Sequence, residues 1–60
     1  MTWNEVMRKL KAAGFVEKRT RKGSHRRFVH PESGKEVWVR VHGHDAGWLG
    51  NRILRDAGVE

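Results

Sequence analysis

Cysteine is absent from this sequence. Its absence excludes disulfides, a thiolate nucleophile and cysteine-ligated zinc. Small secreted domains usually need such staples, so a reducing cytoplasm is the expected setting. No apolar run approaches the roughly 20 residues of a membrane span, and no membrane role is expected. The opening, Met1-Thr2-Trp3-Asn4-Glu5, has neither the basic nor the apolar region of a signal peptide. Acidic residues are few: 7 Asp+Glu stand against 13 Lys+Arg, a formal net charge of +6. Length is limited too. Sixty residues make a single domain, 1–60. A domain of that size hides only about 60% of its unfolded surface, which leaves no room for a deep pocket. A large substrate lying across the surface fits better than a small metabolite inside. The excess of cations favours a polyanionic partner, of which nucleic acid is the commonest.

What is present is well patterned. Thr2-Trp3-Asn4-Glu5 fits a capping box. Trp3, Val6, Met7, Leu10 and Ala13 then recur along one face of an amphipathic helix, which Gly14 ends as a left-handed residue with Phe15 as the apolar contact beyond. Residues 15–20 predict a strand, 21–24 a turn and 25–30 a second strand. Pro31-Glu32-Ser33-Gly34 is a turn, because Pro presets φ and Gly accepts positive φ. Residues 36–42 alternate: Val37, Val39 and Val41 face one way, Trp38, Arg40 and His42 the other. Asp45 is a candidate N-cap for a second helix carrying Ala46, Leu49, Gly50, Ile53, Leu54 and Ala57, ended by Gly58. Gly50 inside it suits close helix packing. The order is an α+β chain, α-β-β-β-α, with a three-stranded antiparallel meander. Packing both helices on one face of the sheet leaves the other in water. That is the layout of a double-stranded-RNA-binding-domain-like fold.

Six of the thirteen cations, Lys18, Arg19, Arg21, Lys22, Arg26 and Arg27, fall between positions 18 and 27. With Arg40, and Lys35 nearby, they give the open side of such a sheet a field able to track a phosphate backbone. Trp38, beside Arg40, is placed either to stack on an unpaired base or to cover a sheet edge or partner interface. His25 follows Lys22-Gly23-Ser24 at the mouth of a strand. Gly23 lets the backbone approach a phosphate closely, and Ser24 adds a small donor. Histidine exchanges a proton near neutral pH more readily than any other side chain, and it can act on a ribose 2′-OH. On its own, an exposed histidine is more often a simple RNA contact or without a role. His42 and His44 form an H-x-H pair, but no recognised spacing supplies a third ligand, so no metal site is expected. No P-loop, Ser-His-Asp triad or two-metal carboxylate cluster is present.

These residues resemble the HicA toxins of HicA–HicB toxin–antitoxin modules, also described as the YcfA-like family. The resemblance runs over nearly all of the chain. It rests on Leu10…Ala13-Gly14-Phe15, on Lys22-Gly23-Ser24-His25 leading into a strand, and on the stretch from Gly47 to Gly58 with its Ile53-Leu54-Arg55-x-Ala57-Gly58 ending. It implies the α-β-β-β-α fold, ribosome-independent cleavage of mRNA, and inhibition by a HicB-like antitoxin. It carries the family's catalytic histidine onto His25. One departure is visible: the family commonly has a proline before the histidine that ends the third strand, whereas Val39-Arg40-Val41-His42 has none.

The expected function is thus a cytoplasmic toxin that cuts single-stranded mRNA with no metal and no small-molecule cofactor. His25 is its base or acid, and Arg19, Arg21, Lys22, Gly23, Ser24, Arg26, Arg27, Trp38, Arg40 and His42 contact the RNA. A second proton carrier is left open among His42, His30, a lysine or His25 itself. The rival expectation is a non-catalytic RNA-binding module on the same fold.

Overall fold

The computed structural model describes residues 1–59 except Lys22, Ser24, His42 and His44. The first helix, α1 (Trp3–Ala12), begins with the expected capping box. The Glu5 N–H donates to Thr2 Oγ1 at 3.2 Å, and the Thr2 N–H donates to Glu5 Oε1 at 3.4 Å. Two of the donors orphaned at a helix start are thereby satisfied. At its far end the Phe15 N–H donates to the Leu10 carbonyl at 3.0 Å and the Gly14 N–H to that of Lys11 at 3.0 Å. Gly14 has φ +102°, a conformation that side-chain-bearing residues rarely adopt. The second helix, α2 (Gly47–Asp56), ends in the same way, with Val59 bonded to Leu54 at 2.8 Å and Gly58 to Arg55 at 3.0 Å. Both helices thus end in one sequence pattern, Leu-x-x-Ala-Gly-apolar.

Asp45, the expected cap, lies one position before the observed one. Ala46 is the residue flanking α2, and Asp45 Oδ1 accepts from the Gly47 N–H at 2.9 Å. The same carboxylate lies 3.4 Å from the terminal ammonium of Met1, and the Ala46 N–H donates to the Met1 carbonyl at 2.8 Å. The start of the chain is therefore pinned to the start of α2.

Three strands, β1 (Val16–Lys18), β2 (His25–Val29) and β3 (Glu36–Arg40), form an antiparallel sheet in the order β1-β2-β3. Each is shorter than the sequence pattern implies. Phe15 serves the end of α1 instead of the sheet, and Arg19 and Thr20 lie beyond the β1 ladder. His30 belongs to the β2–β3 turn, accepting from the Gly34 N–H at 2.8 Å through its carbonyl. The proposed extension of β3 to His42 reaches outside the described residues.

Register decides which side chains meet. Glu17 pairs with Phe28, Phe28 with Val37, and Arg26 with Val39. These share one face, because successive residues of a strand alternate. The other face holds Lys18 across from Arg27, Arg27 across from Trp38, and His25 across from Arg40. Phe28 and Val39 are fully buried with Val6, Leu10 and Leu54 of the helices, whereas Trp38 is 55% exposed. Both helices cover the first face and the second is open, as the alternation of Val37, Val39 and Val41 predicts. A Cβ at Gly50 would sit 2.9 Å from Val6 Cγ2, so the glycine allows α2 to pass close to α1. None of the described helices is long and apolar enough to cross a membrane.

Candidate nucleic-acid interface

The open face is built from alternate residues of three short strands. Phe28 is the large apolar residue of β2, and burying it fixes the parity of the whole strand. His25 and Arg27 must then turn outward, and Arg26 inward. The connection between β1 and β2 is tied to this strand where Thr20 Oγ1 donates to the His25 carbonyl at 2.5 Å. That bond steadies the backbone from which the imidazole projects.

His25 is partly exposed and lines two surface grooves. One, of about 470 Å³, lies among Thr20, Arg21, His25 and Trp38. The other, of about 240 Å³, reaches Lys18, Arg19 and Gly23. Lys18, Arg19, Arg21, Arg27, Trp38 and Arg40 are thus gathered around His25 on the strands or in the two grooves. Lys18, Arg19, Arg21 and Arg40 have no carboxylate partner among the described residues. Their charges are available to an incoming anion.

Alternation divides the cation cluster, however. Arg26 shares the helix-covered side with Glu17, to which its guanidinium is bonded at 2.8 Å. Lys11 of α1 reaches the same carboxylate at 3.5 Å. The Arg26 bond, opposed by partial burial and aided by the charges of Arg26 and Lys11, holds the Glu17 carboxyl below its ordinary range. Arg26 is therefore turned away from Arg27, although it lines the smaller groove together with His25. The signal was present in the sequence, since Arg26 has the parity of Phe28.

Arg27 carries a partner that charge counting overlooked. Glu36 Oε2 accepts from Arg27 Nε at 2.8 Å and lies 2.7 Å from its Nη2. The other carboxylate oxygen accepts from the Trp38 indole N–H at 2.6 Å. The Trp38 bond first, and the Arg27 bond second, hold the Glu36 carboxyl below its ordinary range. Glu36 anchors the edge of the indole, and the ring remains more than half exposed beside His25. Two guanidinium nitrogens converge on that one oxygen, so Arg27 is already occupied by an anion where it would otherwise meet a phosphate.

His30 is not brought to this site. It has the parity of Phe28 and lies at the opposite end of β2, about 17 Å along the strand from His25. Its ring stacks edge-on against Phe15 at 5.2 Å, and its Nδ1 accepts from the Ser33 N–H at 3.3 Å. Its role is to close the turn. Lys22, Ser24, His42 and His44 lie outside the described residues. No group of three His, Asp or Glu side chains that could hold a metal occurs among the described residues.

The site is a shallow, cation-rich surface with one imidazole and one exposed indole on it, next to an uncovered sheet. Individually curated proteins give no match to the chain. The family model described as the HicA toxin of bacterial toxin–antitoxin matches residues 3–59. A three-stranded sheet with one open face, and a sequence that fits this family from the first helix to the last, lead to one conclusion: the chain belongs to the HicA toxins, the toxin half of a module whose other half is an antitoxin.

Proposed function

We propose that this toxin is a metal-independent, ribosome-independent mRNA interferase that acts in the cytoplasm and blocks translation until its antitoxin binds. The observation that supports this most is the position of His25. Its side chain lies on the uncovered face, across from Arg40 and beside Trp38, where a polymer can reach it. A single RNA strand crossing that face meets cations for its phosphates and an indole for a base.

The reaction is attack of a ribose 2′-OH on the adjacent phosphorus. A new P–O2′ bond forms and the P–O5′ bond breaks. The 2′-hydroxyl proton passes to the base, and the leaving 5′-oxygen takes up a proton from the acid. The products are a 2′,3′-cyclic phosphate and a 5′-hydroxyl. His25 serves as base or acid. Arg40 and Lys18 on the open face, with Lys22, three residues before His25 in the sequence, hold the strand and offset charge on the phosphorane. Arg27 joins them when a phosphate displaces Glu36. Arg26 supports the sheet from its other side. The cationic face is equally suited to an acidic surface of a HicB-like antitoxin, so inhibition is exclusion of RNA by the antitoxin.

The test is the chemistry of the cut ends. Purified toxin incubated with single-stranded RNA in EDTA should give fragments ending in 2′,3′-cyclic phosphate and 5′-hydroxyl. Fragments with 3′-hydroxyl and 5′-phosphate ends would contradict 2′-OH attack, and loss of cleavage in EDTA would contradict a metal-free route. RNA bound but left intact would favour a non-catalytic binding module.

A further inference from the structure

Trp48 is the most exposed large apolar residue described, at 72%, and neither a ring contact nor a hydrogen bond engages it among the described residues. It stands in the first turn of α2, and the nuclease reading gives it no role. It lines a groove of about 480 Å³ whose other walls include Arg40, Asp45 and Leu49, with Trp3 and Ala46 beneath.

That groove meets the open face at Arg40. Arg40 is the cross-strand neighbour of His25, and it is also a wall of the Trp48 groove. On the other side, Trp38 and His25 share a groove. Trp38 and Arg40 are two residues apart on β3, about 7 Å, with their side chains on one face. The sequence along the surface is therefore Trp38, the His25–Arg40 pair, then Trp48. The charge of the second groove is also suited to an anion. Its acid, Asp45, is already taken up by the Gly47 N–H and the terminal ammonium, whereas Arg40 has no carboxylate partner among the described residues. An exposed indole beside an unpaired guanidinium is the combination that stacks a base and holds its phosphate.

We infer that Trp48 is a second base-stacking platform, so that the toxin grips unpaired bases on both sides of the phosphate at His25. This rests on the proposed RNA cleavage and names the part of the substrate that the reading left open. Two platforms flanking the reacting phosphate require bases that are free to leave a helix. Single-stranded RNA then binds and duplex RNA of the same sequence is refused.

The experiment uses the full chain and a short single-stranded RNA with 2′-deoxyribose at the mapped cut, which binds but cannot react. Bases are removed one at a time to leave abasic nucleotides, and affinity is measured for wild type, Trp48→Ala, Trp48→Phe and Trp38→Ala. Wild type should be sensitive to base removal at one position on each side of the cut. Trp48→Ala should bind the intact RNA about 5- to 30-fold more weakly and lose the sensitivity on one side only. Trp38→Ala should lose it on the other side, and Trp48→Phe should stay close to wild type. Thermal melting of Trp48→Ala at the wild-type temperature confirms that the fold is intact. If Trp48→Ala binds the RNA and its abasic series as wild type does, the inference is overturned. The same holds if only antitoxin binding is lost, which would make the indole a protein contact. Should wild type neither bind nor cut the parent RNA, the nuclease reading falls as well.

Discussion

Glu36 shows how one acid can set the properties of a basic surface. It holds the Trp38 indole with one oxygen and Arg27 with the other. Under the proposed function, RNA competes with it for Arg27. Glu36→Gln removes the charge but keeps an oxygen for the indole, so it should tighten binding of single-stranded RNA about two- to fivefold. Affinity measured by fluorescence anisotropy checks this, and Glu36→Ala should lose the gain by freeing the indole as well. The carboxyl is held below its ordinary range, so it stays ionised through neutral and mildly acid pH. Its titration therefore contributes no change in RNA affinity between about pH 6 and 8. None of this was legible in the sequence. Positions 27 and 36 become neighbours only once the hairpin closes with a defined register. The opposite facing of Arg26 and Arg27 was legible, because Phe28 sets the parity.

Among the elements, the two helices are the better guide to how sequence became structure. The capping box, the Gly14 end and the apolar stripe of α1 are all local signals, and each appears where the sequence places it, except that Ala13, the last residue of the stripe, is the exposed C-cap. The strands were overextended because their ends are decided by competing partners: Phe15 completes a helix end, and His30 completes a turn. In α2 the apolar spacing included Leu49, which is 38% exposed. Gly50, by contrast, is buried where the helices cross. Helix propensity alone says that Gly50→Ala stabilises by about 1 kcal/mol. The added Cβ would lie 2.9 Å from Val6 Cγ2 and 3.1 Å from Ala46 Cβ. Val6 is β-branched and fully buried, so it has little room to yield. Overpacking costs about 1–3 kcal/mol, and the crowding outweighs the propensity gain. Thermal denaturation should show a lower melting temperature for Gly50→Ala than for wild type. A higher one would mean that the helices can separate without penalty.

The whole molecule is a slab of 30 × 28 × 15 Å, with the helices on one side of a sheet and a broad face on the other. A long polymer can lie on such a shape, although nothing small can be enclosed by it. Its excess of +6 charges makes the three acids held by cations or N–H groups important to stability. Glu17, Glu36 and Asp45 all have carboxyls below their ordinary values in the fold. A depressed folded value means that the stabilisation is present above the unfolded value and is lost as pH falls through the folded one. Melting temperature should therefore decline as pH drops below about 4.5, when the pairings are lost and the like charges remain. Glu17→Gln should melt somewhat lower at neutral pH and show a shallower decline in acid. An unchanged acid profile would mean that the Glu17 pairing with Arg26 and Lys11 contributes nothing. The function assigned to the open face turns on one side chain, and it is tested most directly by comparing His25→Ala with wild type on the same single-stranded RNA. The account predicts a cleavage rate lower by about 10²- to 10⁴-fold with affinity nearly unchanged. Cleavage at the wild-type rate without the imidazole would contradict it.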